Sequence, residues 1–115
     1  MTDTSNTHDD ARACVIALVT QAEAIVESNE AQSPRGRWAM TAFSRYRVCE
    51  LLGIAPYGRY VGELGADPAD LFDQAAALVD EIDVTLEDVS WRLALGDALR
   101  SAAADVRMVR DAREI

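Results

Sequence analysis

Apolar residues recur along this chain at the three-and-four spacing of a buried helical face, and no stretch alternates as a strand would. The first such pattern holds Cys14, Val15, Leu18, Val19, Ala22, Ile25 and Val26, and predicts a helix from about Asp9 to Ser28. Thr7 and Asp10 have the spacing of a capping box at its start, leaving residues 1–8 as a flexible tail. A second helix is expected from Ser33, an N-cap followed by Pro34 at the first helical position, to Leu52. Its core face is expected to be Ala39, Ala42, Phe43, Tyr46, Cys49 and Leu52, with Gly53 closing it in the left-handed conformation. Asp67-Pro68 starts a third helix by the same logic, with Leu71, Phe72, Ala75, Leu78, Val79 and Ile82 turned inward. Thr85 and Asp88 have capping-box spacing, and Val84 and Val89 stand where a hydrophobic staple places them. A fourth helix then runs to about Arg110, with Val89, Leu93, Leu95, Leu99, Ala102, Ala103, Val106 and Val109 as its apolar band.

These elements predict an all-α fold, a compact bundle of four main helices forming a single domain over residues 9–115. Between them, residues 54–66 carry Gly58, Gly62 and Gly65 and read either as an ordered loop or as a short fifth helix at about 56–64. The fourth helix is expected to outrun the others. Its last apolar turns would then need a second surface, and a homodimer supplies one.

Composition sharpens this picture. The chain has 115 residues, half of them apolar, with three prolines, which is enough for one real core. The net charge of −9 is unevenly spread, because five of the eleven arginines lie between residues 35 and 62, where Glu50 is the only acid. The acidic remainder repels nucleic acid and anionic membrane at long range. The longest uncharged apolar run, Ala13 to Ala22, is about half of the ~20 residues that span a bilayer, and the N-terminus lacks the basic start of a secretory signal. A cytoplasmic protein with Cys14 and Cys49 as reduced core thiols is expected.

The basic segment is also where five of the seven aromatic residues lie. Arg35, Arg37, Trp38, Arg45, Arg47, Tyr57, Arg59 and Tyr60 are its candidate partner-binding residues, since arginine, tryptophan and tyrosine are the common anchors of protein interfaces. Phosphate contact and base stacking would use the same residue types. The eight acids between Asp67 and Asp88 offer a different surface, one able to imitate DNA phosphates or simply to be solvated.

Val48, Cys49, Leu52, Gly53 and Ile54 together resemble the first half of a helix-turn-helix motif, which implies DNA binding through residues 35–64. The second half departs from the motif, because Arg59 and Gly62 stand where apolar positions are expected. A weaker echo at Glu87 to Leu93 has Ala94 in place of the turn glycine.

Catalytic and metal chemistry find little in the chain. His8 is the only histidine, the two cysteines are 35 positions apart, and no phosphate-binding glycine motif occurs. No catalytic residue, metal or cofactor is expected. The expected function is that of a small non-enzymatic regulator, inhibitor or adaptor that binds another protein, with helix-turn-helix DNA binding as the alternative.

Overall fold

The computed structural model describes residues 4–32, 36–56, 60 and 62–111. Among them stand four α-helices and no strand: α1 (Thr4–Ala31), α2 (Ala42–Leu52), α3 (Pro68–Asp80) and α4 (Val89–Asp111). Short 3-10 turns at Arg37–Thr41 and Leu86–Asp88 lead into α2 and α4. The expected all-α bundle is what the chain forms.

The packing order differs from the chain order. α3 lies against both α1 and α4, and α2 lies against α4 on its other side. α1 and α2 approach one another only slightly, and α1 and α4 sit on a diagonal. Two hydrogen bonds show α2 and α4 to be antiparallel. Ser44 Oγ donates to Asp105 Oδ2 at 2.7 Å, and Trp91 Nε1 donates to the Leu51 carbonyl at 2.8 Å. The α3–α4 contact is antiparallel too. Arg110, Arg107 and Arg100 pair with Asp67, with Asp70 and Asp73, and with Asp80 in turn.

α1 begins at Thr4, inside the span expected as a tail, and ends at Ala31. Neither glycine nor proline occurs in residues 1–31, so nothing local stops the helix early. From Asp10 onward, its buried apolar face starts at Val15 and continues through Val19, Ala22, Ile25 and Val26. Cys14, expected in the core, is exposed. The longest helix among the described residues is α1 and not α4, and Val106 and Val109 in the last turns of α4 are buried. The geometric motive for a dimer through the end of α4 falls away.

α2 ends as its sequence requires. Gly53 has φ 73°, its N–H bonds the Glu50 carbonyl at 3.2 Å, and the Ile54 N–H reaches the Cys49 carbonyl at 3.0 Å. These are the paired bonds of a Schellman ending. Among the described residues of 54–66 none is helical. Gln21 Nε2 of α1 donates to the Glu63 carbonyl at 3.1 Å and ties this connection down.

Asp67 caps α3 by accepting from the Ala69 N–H at 3.2 Å, with Pro68 at the first position. The Thr85 cap does not form. Its hydroxyl bonds the Asp88 carboxylate at 3.3 Å rather than a backbone N–H, because the chain makes a 3-10 turn there before α4 begins. On α4, Leu95, Leu99, Ala102, Ala103, Val106 and Val109 are buried, but Leu93 is 60% exposed. Leu93 lies about 160° around the helix from Leu95 and about 120° from Leu99. It belongs to the wet face.

The two leucines of α4 should therefore behave oppositely. Leu99→Ala is expected to cost about 2–5 kcal/mol, as a truncation inside a packed core, and Leu93→Ala under about 0.5 kcal/mol. Urea unfolding of both variants checks this.

Candidate functional site

The site begins with an inversion on α2. Its buried positions are Ser44, Arg45, Val48, Cys49 and Leu52, continuing the buried Thr41 one turn earlier. Phe43, expected in the core, is 89% exposed, and Met40 is 65% exposed. The inward face of the N-terminal half of this helix is polar and its outward face is apolar.

Arg45 explains the inversion. Only 3% exposed, it reaches across to α1 and pairs through Nη1 with Glu23, which is buried as well. Its Nε donates to Thr41 Oγ1 at 2.7 Å, and Thr41 in turn donates to the Trp38 carbonyl at 2.7 Å. The other Glu23 oxygen accepts from Cys49 Sγ at 3.4 Å. Among the described residues no buried side-chain nitrogen or oxygen lacks a partner. Burial pushes the Glu23 carboxyl above its ordinary range, while Arg45 pulls the other way. Burial, with the Glu23 charge beside it, pushes the Cys49 thiol up to about 12. Cys49 thus stays protonated and serves as a weak donor, not a nucleophile.

The arginines and aromatics expected to form one binding patch are dispersed. Trp38 is buried and Arg45 is consumed in the core. Arg47 is exposed and pairs with Glu50 at 2.5 Å along the same helix. Arg37 and Tyr60 are half-buried, whereas Arg35, Tyr57 and Arg59 lie outside the described residues. The structure brings Trp38 and Arg45 together, through Thr41, and does so inside the bundle. Of the acids between Asp67 and Asp88, four are paired with α4 arginines. The charge available for imitating a phosphate backbone is correspondingly smaller.

What remains outward is a different surface. Met40 in the 3-10 turn and Phe43, Tyr46, Arg47 and Glu50 on α2 follow one another at helical spacing along the exposed side of this segment. The Ser44–Asp105 bond places Met40, four residues before Ser44, at the same end of the helix pair as Met108, three residues after Asp105. Met108 is 52% exposed. The guanidinium of Arg45 lies 5.3 Å from the centre of the Tyr46 ring, so the buried ion pair also steadies one edge of this surface. Pattern reading missed the surface because it assigns a phenylalanine on a helix to the core. The available signal was Thr41, Ser44, Arg45, Val48 and Leu52, which share a face only if that face is polar at one end.

Comparison with family models, with curated proteins and with solved structures gave no match. The class is set by the fold alone, an all-α four-helix bundle. No helix among the described residues is long and apolar enough to cross a membrane, and no three His, Cys, Asp or Glu side chains there gather to hold a metal ion.

Two measurements test the interior of this site. Glu23→Ala or Arg45→Ala should each cost about 3–5 kcal/mol in urea unfolding, because each strands a buried charge, whereas Glu23→Leu with Arg45→Met should recover most of that loss. In the native protein at pH 8, iodoacetamide should modify Cys14 and leave Cys49 intact, by mass spectrometry, until denaturant is added.

Proposed function

We propose that the protein is a small cytoplasmic, non-enzymatic protein-binding regulator or adaptor that docks its partner, or a second copy of itself, on the outward face of α2. One observation carries this reading: Met40 and Phe43 stand in water on a helix that has given its inward face to a polar network. Leaving a phenylalanine in water forgoes about 1.5–3 kcal/mol of burial free energy, which a partner covering the ring recovers. Arg47 and Tyr46 flank the ring with the side-chain types that anchor interfaces. Arg47, Arg37 and Tyr60 are the described members of the expected partner-binding set that remain at least partly accessible.

The helix-turn-helix alternative has the weaker support. α2 and its glycine ending fit the first half of that motif, but no described residue between 54 and 66 is helical, so a recognition helix has no support there.

The test is a Met40→Ser, Phe43→Ser double variant. It should keep its unfolding free energy within about 0.5 kcal/mol of the parent, since neither side chain is packed in the core. It should lose self-association in analytical ultracentrifugation. It should also lose the adducts formed when a photo-crosslinker at Tyr46 is irradiated in the host's lysate. Unchanged association and unchanged adducts would remove the α2 surface from consideration. Adducts that vanish on nuclease treatment would favour DNA binding instead.

A further inference from the structure

A second feature lies about 21 Å along α4 from Asp105, at the end of the bundle where α2 terminates. There a cleft of about 420 Å³ opens between α1, the first turn of α4 and the connection that follows α3. Its size is within the roughly 300–1,000 Å³ typical of ligand clefts.

One wall is built from Trp91 and Arg12. The Trp91 indole is held in place by its bond to the Leu51 carbonyl. The Arg12 guanidinium lies 5.5 Å from the centre of that ring, and its Nη2 reaches the Leu52 carbonyl at 3.4 Å. The wall contributed by the chain between α3 and α4 carries Asp83 and Asp88, with Val84 between them in the chain. Arg92 Nη1 donates to the Ile82 carbonyl at 2.8 Å and anchors this wall to α4.

The charges here are arranged unlike those elsewhere in the bundle. Four acids of the α3 segment each find an arginine on α4. Asp83 and Asp88 find none among the described residues, although Arg12 lines the same cleft. The lining therefore holds two carboxylates against one guanidinium, and that guanidinium is already occupied by an indole face and a backbone carbonyl. Glu81 and Glu87 adjoin the acidic wall in the chain and deepen its negative field.

We propose that this cleft seats an arginine or lysine side chain from an extended segment of a partner protein. The cationic head lies between Asp83 and Asp88, where it gains charge-assisted hydrogen bonds. Its aliphatic stem runs over Val84 and the free part of the Trp91 ring, as such stems do on apolar surface. The remaining Arg12 N–H donors face the segment's backbone carbonyls. The site is separate from the outward face of α2 and does not rest on it.

The indole N–H of Trp91, identified by its loss in Trp91→Phe, reports on the cleft in a two-dimensional amide spectrum. The probe is the blocked tripeptide acetyl-Gly-Arg-Gly-amide, with the Gln and Glu tripeptides as neutral and anionic controls and agmatine as a free small cation. Saturable movement of the Trp91 signal by the Arg tripeptide is expected, weakened about tenfold by Asp83→Asn with Asp88→Asn and weakened again by added salt. If Asp88→Asn disturbs its turn, Asp83→Asn alone carries the comparison. No saturable movement, equal movement by the Gln tripeptide, tighter binding of the Glu tripeptide, or indifference to the Asp substitutions would each overturn the site. Agmatine binding as tightly as the Arg tripeptide would overturn the peptide assignment.

Discussion

The buried pair of Arg45 and Glu23 is the constraint on which the rest of this bundle depends. α1 and α2 touch one another only slightly, and the pair links them directly. A charge taken out of water costs several kcal/mol unless it is paired and its remaining hydrogen-bond positions are filled. Here they are filled by Thr41 and Cys49. Three elements thereby become mutually dependent: α1 through Glu23, the 3-10 turn through Thr41, and α2 through Arg45 and Cys49. An apolar pair of similar volume would hold the helices together as well. It would not specify the same rotation of α2 about its axis, because apolar contact is non-directional and a hydrogen-bonded guanidinium is not.

That rotation decides what the surface offers. With Arg45 inward, Phe43 and Met40 cannot also be inward, since they lie about 160° and 140° away around the helix. The apolar outward stripe is thus a geometric consequence of the ionic core. The same rotation sends Ser44 to Asp105 and the Leu51 carbonyl to Trp91, which sets how α2 slides along α4. Trp91, steadied by that carbonyl, forms one wall of the cleft at the far end. An exposed apolar stripe and a charged cleft trace back to one placement of one helix.

The α3–α4 half is organised differently. Its core is made of leucine, valine, phenylalanine and alanine, and its ion pairs lie along the solvent edge. Exposed pairs of this kind contribute roughly 0–1 kcal/mol each, so they select register more than they add stability. They also decide where charge is left over. The acids of α3 are spent on α4, and Asp83 and Asp88, further along the chain, line the open cleft instead.

The amino-acid sequence alone determined the four helices, because their apolar spacing and terminators are local properties. Asp67-Pro68 starts α3 and Gly53 ends α2 through bonds to neighbours within five residues, and each was legible. The inward faces of α3 and of α4 beyond Leu95 were legible as well, since their buried side chains are uniformly apolar. The rotation of α2, the exposure of Phe43 and Leu93, and the burial of Arg45 were not. The placement of α2 depends on Glu23, twenty-two positions from Arg45 in the chain, and an arginine reads as solvent-facing unless its buried partner is known. The cap at Thr85 failed for a related reason, because the chain's path from α3 into α4 imposes a 3-10 turn. Local pattern decides where a helix begins and ends, whereas the face it turns inward is decided by whichever distant group completes its hydrogen bonds.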